Sequence, residues 1–399
     1  MFGYFGAETE VETYFGDSTS QQAKQLGALP SLHEKIPLSY WLSNTHTSTF
    51  YSSLANFEQV YPVFYRRYTY WHKEDGGNNV LDIAIRRDRA LELNDYIQSG
   101  DKSLPPRTVL MTDEETAQVG ANDAGTLVVL LHGLSGGSHE SYVRSTIEAI
   151  YNTYPDEDSH VDCVVFNARG CARSKVTSKR YWSAWAIDDL AACMDFLRSK
   201  FPNRKIVICG YSIGANILCN YLGRMPERAH KTVDVAISVS NPWQLKKAGD
   251  LLDSYALGRL YSRAMTGGLQ KLFKRHQEWL LQHPGIDATK VLAARRLHDF
   301  DENMTCRLFG NKSADEYYDL ASSDQHVGAV TVPLLVLSAA DDPLMGKSTL
   351  PFKQMQGNPN VVMAVTGRGG HLGWYAPAGE ERWMNKVIIE TVGLYTEKQ

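Results

Sequence analysis

From Thr126 onward the chain alternates short apolar runs with amphipathic stretches, and this alternation restricts the fold more than any other feature. TLVVLL is followed by SYVRSTIEAIYNTY, DCVVFN by SAWAIDDLAACMDFLRSKF, and KIVICG by ANILCNYLGRM, before DVAISVS closes the series. Apolar runs this short, with no polar alternation inside them, read as strands buried on both faces. Strands that alternate with helices in this way form a parallel sheet covered on both sides. After Asn241-Pro242 the rhythm breaks, and 243–329 reads as charged amphipathic helices such as LQKLFKRHQEWLLQH and ATKVLAARRLHDF. A strand, VPLLVLSA, then resumes at Val332, NVVMAV is the last strand, and ERWMNKVIIETVGLY is a closing helix.

The expected organisation is therefore an N-terminal extension (1–60), a core formed by 61–242 and 330–399, and a helical cap (243–329) inserted in that core. Residues 1–35 read as polar and irregular. A strand is expected near Val63–Tyr68, a turn at Asp75–Asn79 and a second strand at Val80–Ile85.

Composition limits the function classes. The chain has 399 residues, 43% of them hydrophobic, which is enough to bury a large core. With 41 basic against 45 acidic side chains and no basic block, nucleic acid is not an expected partner. Six cysteines without a CxxC pair make neither a disulfide framework nor a zinc site. No secretory or transit signal is evident at the start, so an intracellular setting, cytoplasmic or lipid-associated, is expected. Ile206–Gly223 carries no charge but holds Ser212, Asn216 and Asn220, which suits a buried strand and helix better than a membrane span. Peripheral membrane contact remains compatible with this. Lys347-Ser348 has the end of a phosphate-binding loop, but Asp341 stands where its first glycine is required. No GxGxxG fingerprint or metal-spaced Cys/His cluster is present, and neither cofactor nor metal is expected.

A Gly-x-Ser-x-Gly pattern between a strand and a helix puts a serine on a tight turn with its hydroxyl exposed. The chain has two matches. Gly210-Tyr-Ser212-Ile-Gly214 follows KIVIC and opens a helix. Gly133-Leu-Ser135-Gly-Gly137 follows TLVVLLH, but it reads as the His-Gly-Leu loop that lies upstream of such a nucleophile. Ser212 is therefore the expected nucleophile, with the backbone N–H groups of Leu134 and Ile213 as the oxyanion hole. An activated serine needs a base and an orienting acid, here in the chain order Ser, Asp, His. Asp341-Asp342-Pro343 follows one late strand and Gly369-Gly370-His371-Leu372-Gly373 the other. Asp342, directly before the proline turn, is the preferred acid, with Asp341 holding the loop and His371 as the base. His132 is expected to shape the oxyanion loop.

HGLSGGSHESYVR (132–144), FNARGCARS (166–174), GYSIGANIL (210–218), FDENMT (300–305), ADEYYDLASS (314–323), SAADDPL (338–344) and GGHLGW (369–374) occur in one order. Together they resemble the α/β-hydrolases that group yeast medium-chain fatty acid ethyl ester synthase/esterases and a fungal monoacylglycerol lipase with mammalian abhydrolase-domain proteins. The resemblance implies an α/β-hydrolase fold with a mostly parallel central sheet, helices on both faces and an inserted helical cap. It also implies a Ser212, Asp342, His371 triad and an acyl ester or lipid substrate. The activity implied is serine-dependent carboxylic ester hydrolysis through an acyl-enzyme. The alternative is an O-acyltransferase that passes the acyl group from acyl-CoA or another ester to an alcohol acceptor. A non-catalytic binding protein on this scaffold would need a broken triad, whereas every role has a candidate here. Such proteins often carry Gly-His-x-Gln-Thr after a Trp-Leu. Here Trp41-Leu42 precedes Asn44-Thr45-His46-Thr47-Ser48-Thr49, which keeps the histidine and loses the glycine and glutamine. The mammalian relatives' N-terminal membrane anchor has no candidate segment in this sequence.

Overall fold

The computed structural model describes residues 7–16, 19–55, 57–93, 103–155 and 160–396. Ten strands form one sheet. Their chain order is β2 (Val11–Phe15), β4 (Phe64–Trp71), β5 (Asn78–Ile85), β6 (Thr108–Leu110), β7 (Thr126–Leu131), β8 (Val161–Asn167), β9 (Lys205–Tyr211), β10 (Val235–Val239), β11 (Leu334–Ala339) and β12 (Val361–Thr366). Across the sheet they run β2-β12-β11-β10-β9-β7-β8-β5-β4-β6. The six strands from β12 to β8 are mutually parallel, whereas β2, β5 and β4 join antiparallel to their inner neighbours. A separate pair, β1 (Ala7–Thr9) and β3 (Ile36–Leu38), is antiparallel.

Every residue of β7, β10, β11 and β12 is buried, as a sheet covered on both faces requires. Successive side chains point to opposite faces. Leu127, Val129 and Leu131 therefore enter one core, and Val128 and Leu130 enter the other. The helices used below are α1 (Gln21–Gly27), α2 (Thr45–Leu54), α3 (Ser141–Thr153), α4 (Ile187–Lys200), α5 (Ile213–Arg224), α6 (Leu245–Ser254), α7 (Ala256–Leu280), α8 (Ala314–Ala321) and α9 (Trp383–Thr396). Helices α4 and α5 cover the first core, and α1, α3 and α9 cover the second.

Two sequence expectations change. Residues 11–15, inside a stretch expected to be irregular, form edge strand β2 on β12. Their alternation VETYF is too short and polar to signal a strand without the exposed edge that receives it. Nearby, Ala23, Leu26, Leu29 and Leu32 are buried in the second core. ATKVLAARRLHDF, read as one amphipathic helix, is two, Ala288–Ala293 and Leu297–Phe300. The Gln270 side-chain Nε2 lies 2.9–3.1 Å from the carbonyls of Val291, Leu292 and Ala294, which share its two hydrogens where a helix end leaves such groups free. FDENMT contains a π-helical turn, Asp301–Thr305. The uncharged run Ile206–Gly223 divides into β9 and α5. Among the described residues no helix is long and apolar enough to cross a membrane.

Candidate active site

Strand β9 delivers Ser212 into the turn that opens α5. Its backbone lies in the left-handed region, φ 53° and ψ −123°, a conformation that costs a non-glycine residue free energy and persists only where the surroundings impose it. The flanking glycines show what imposes it. A Cβ on Gly210 would lie 2.7 Å from Ala215 Cα, and one on Gly214 would lie 2.5 Å from the His132 carbonyl oxygen. The Gly-x-Ser-x-Gly spacing is thus set by contact between backbones, which lets helix, strand and the upstream loop approach each other. Ser212 N–H is satisfied by Val239 O at 2.9 Å.

The loops after β11 and β12 bring Asp342 and His371 to the serine. His371 Nε2 is 2.9 Å from Ser212 Oγ, and His371 Nδ1 is 2.8 Å from Asp342 Oδ2. Asp342 Oδ1 accepts the Leu344 N–H at 2.9 Å, so both its oxygens are used and its orientation is fixed. Asp342, not Asp341, is the carboxylate bonded to the imidazole. Asp341 Oδ1 accepts the Gly370 N–H at 2.9 Å, tying one loop to the other, and burial raises its carboxyl above the ordinary range. With Oδ2 of Asp342 as acceptor, Nδ1 carries the proton and Nε2 is left free to accept from the serine hydroxyl.

Leu134 and Ile213 line the same cavity as Ser212. Ile213 is the first residue of α5, where a helix leaves its N–H groups without intrahelical acceptors. The Leu134 loop is braced at several points. Gly133 N–H donates to Tyr142 Oη at 2.8 Å, and Ser138 N–H donates to Asn167 Oδ1 at 2.9 Å. Ser138 Oγ donates to Asp82, which also takes a two-point ion pair from Arg67 at 2.6 and 2.7 Å. His132 accepts the Ala168 N–H at Nε2 and approaches Gly133 O through Nδ1 at 2.7 Å. Burial pushes its pKa down to about 4, so it stays neutral and holds the loop. Ser135 lines the cavity, but among the described residues no histidine is hydrogen-bonded to it.

Sequence reasoning missed the role of α2. Asn44 caps it, accepting from His46 N–H and Thr47 N–H. Thr45 Oγ1 donates to Asp341 O, Ser48 Oγ donates to Gly369 O, and Thr49 Oγ1 accepts the His371 N–H at 3.0 Å. His46 Nδ1 is 3.0 Å from Tyr261 Oη on α7. This helix therefore fastens the histidine loop, and Thr49, Phe50, Ser52 and Ser53 also line the cavity. The available signal was the run of hydroxyl residues in Thr45–Thr49, which has little reason to stand on an exposed helix. The Arg67–Asp82 pair was also missed. The two residues are directly opposite in the β4–β5 ladder, a register that single-strand patterns do not reveal.

The cavity has a volume of about 570 Å³ and opens onto Ser212 and His371. Its remaining wall comes mostly from apolar side chains of α6, α7, 297–309 and α8. Among the described residues, Asp301 and Glu140 are the carboxyl groups that line the cavity. Burial raises the first to about 6 and the second to about 7.

The fold and this strand-turn-helix serine place the chain among the α/β hydrolases. The model of the α/β-hydrolase fold family matches residues 126–373, and the chain belongs to that family. It is 33% identical to a monoacylglycerol lipase of Saccharomyces cerevisiae over 90% of this chain and 80% of that protein. It is 29% identical to medium-chain fatty acid ethyl ester synthase/esterase 2 of the same yeast, over 89% of this chain and 85% of the relative. A phospholipase ABHD3 of Mus musculus is 28% identical over 77% of this chain and 72% of its own length.

Proposed function

We propose that the protein is a serine-dependent carboxylic ester hydrolase acting on acyl esters or lipids, with medium-chain fatty acid esters and monoacylglycerol as the substrate types suggested by its relatives' names. The observation that carries this reading is the chain of short contacts Ser212–His371–Asp342, with Ser212 and His371 lining an apolar cavity. His371 Nε2 takes the Ser212 proton as Oγ attacks the ester carbonyl. The N–H groups of Leu134 and Ile213 hold the oxyanion. As the tetrahedral intermediate collapses, the imidazolium gives its proton to the departing alcohol, leaving an acyl group on Ser212. Water then attacks the acyl-enzyme, with His371 taking its proton and returning it to Ser212 Oγ as the acid leaves. Asp342 keeps the imidazole in the tautomer that both steps need. The helices within 243–329 serve in this reading as a cap inserted in a core of 61–242 and 330–399, behind an N-terminal extension of 1–60.

Labelling with a fluorophosphonate and turnover of p-nitrophenyl esters test the proposal. Ser212→Ala is expected to lose both, and Ser135→Ala to keep both. An adduct that survives Ser212→Ala and disappears in Ser135→Ala would reassign the nucleophile. No adduct on either serine would remove the serine mechanism.

A further inference from the structure

The cavity is walled by two hydrophobic clusters. The first contains Trp182, Leu269, Leu272, Phe300 and Met304, with Leu308 packed against it. The second contains Leu252, Tyr261, Leu344 and Met345, with Phe50 and Met265 packed against it. Leu297 touches both. Helix α7 crosses from one to the other: Tyr261 and Met265 face the second cluster, and Leu269 and Leu272 face the first. Gly268 lies between them, and a Cβ there would come within 2.8 Å of Ser135 Oγ. At the crossing, then, the helix carries no side chain toward the loop that bears Leu134.

The clusters adjoin different halves of the chemistry. Ile213 belongs to the first and Leu134 packs against it, and these are the residues whose N–H groups the hydrolase reading assigns to the oxyanion. The second is built around the base. Leu344 and Met345 follow Asp342 in the chain, and Tyr255 Oη donates to Pro343 O at 2.7 Å. Helix α2, which contributes Phe50, holds His371 through Thr49. The Tyr261 hydroxyl is turned to His46, and its ring stacks on Phe50 at 4.8 Å, so the second wall presents apolar surface. In acyl transfer the protonated imidazole must reach the departing alcohol oxygen, so the alcohol half of the substrate lies on the histidine side.

Resting on the ester hydrolase reading above, we propose that the first cluster is an arm for the acyl chain and the second an arm for the alcohol, and that the preferred substrates are esters apolar on both sides of the scissile bond. Esters of alkyl alcohols fit, as do acylglycerols whose alcohol half still carries a chain. An ester of a small polar alcohol, monoacylglycerol included, leaves the second arm empty, so of the substrate types named above it is expected to be the poorer. The same arm favours a long-chain alkyl alcohol over ethanol as acceptor when it competes with water. The alcohol oxygen attacks the acyl carbonyl while its proton passes to His371 Nε2. The bond to Ser212 Oγ then breaks, and Oγ recovers the proton, releasing the new ester.

Two ester ladders test the assignment on the full chain. One varies the acyl group from acetyl to dodecanoyl on p-nitrophenol, and the other keeps octanoyl and varies the alcohol from methyl to decyl. The quantity read is the kcat/KM ratio of the longest to the shortest substrate, taken within each protein. Leu308→Trp is expected to lower this ratio by roughly tenfold or more on the acyl ladder, with the alcohol ladder keeping its wild-type slope, and Met265→Trp is expected to do the reverse. If either tryptophan variant fails to unfold cooperatively, Leu272→Ala and Leu252→Ala replace them, and each shifts the preference of its own ladder toward longer chains. The two-arm assignment is overturned, with the hydrolase reading intact, if both substitutions move only the acyl ladder or if wild-type kcat/KM does not rise with alcohol length. A wild-type protein with neither turnover nor an adduct on Ser212 overturns both.

Discussion

The loops at the carboxyl ends of the parallel strands and the helical segment 245–321 meet at one cavity, but they are built differently. In the loops, main chain packs on main chain: Gly214 sits against the His132 carbonyl, Gly210 against Ala215, and Ser212 is held at positive φ. In the helical segment, side chains face an open volume, and several apolar ones on α7, Leu257, Leu260 and Trp279, remain exposed. Backbone contact leaves no room for a substituent, so it fixes the reacting atoms. Side chains around a void can be lengthened or trimmed with modest strain, so the proposed selection of chain length falls to them. In the reading proposed above, the site separates a rigid half, which would carry out the reaction, from an adjustable half, which would choose the ester.

The largest test of that separation is in the rigid half. Ser212→Ala is expected to lower kcat by about 10⁴-fold or more while thermal unfolding stays near that of the wild type. Asp342→Asn should cost about 10⁴-fold, because an amide in that place favours the wrong imidazole tautomer. Asp341→Asn loosens only the bond to Gly370 N–H, and a shift of the histidine loop by a fraction of an ångström is expected to cost up to about 10²-fold. Pre-steady-state acylation rates distinguish these cases. Equal losses for the two aspartates would mean that the loop, not the carboxylate on Nδ1, carries the effect.

Stability gives the next contrast. Asp82 is fully buried, and it joins Arg67, Ser138 and Asn167 beneath the Leu134 loop. Removing one partner of such a buried pair leaves a charge without compensation, so Asp82→Ala should destabilise the protein by about 3–5 kcal/mol in urea unfolding. Met265→Ala, a half-buried change facing the cavity, should cost no more than about 1 kcal/mol. Similar values for the two would erase the difference between the regions.

How far the sequence foretold this arrangement follows from the same physics. Strands β7 to β12 were legible because burial on both faces forces unbroken apolar runs. The serine turn was legible because backbone contact demands glycine at fixed positions. Histidine and acid could be placed because they follow such strands. Strand β2 was not legible, since its pairing depends on an edge far away in the chain. Nor was the Arg67–Asp82 pair, which exists only through cross-strand register. The hydroxyls of α2 gave no signal for their partners, because hydrogen bonds to Asp341 O and His371 N–H depend on tertiary placement alone. Two separate walls in the helical segment were equally hidden, because amphipathic spacing reports which face is apolar and not what that face surrounds.

The effect confined to the narrowest range of conditions lies in the helical segment, at Asp301. Its two oxygens accept from Thr305 Oγ1 at 2.6 Å and Tyr318 Oη at 2.7 Å. Burial raises its pKa from 3.8 to about 6, against the opposing pull of those two hydrogen bonds. The folded protein therefore retains this proton over a range in which the unfolded chain has lost it. Between about pH 4 and 6 the native state binds more protons at this site, so the contribution is fully present below about pH 4 and is lost as pH rises through about 6. Glu140, raised to about 7, adds a slope of the same sign, so the informative quantity is the difference between the wild type and Asp301→Asn. That variant keeps a neutral group of the same shape. Relative to it, the wild type should lose urea resistance progressively across the window. A difference that stays constant with pH would show that the carboxyl does not titrate there, and that the π turn holds Asp301 for its two hydrogen bonds alone. A difference that follows the expected slope, with the ester ladders unchanged by Asp301→Asn, would separate the stability of the wall from the selectivity it confers.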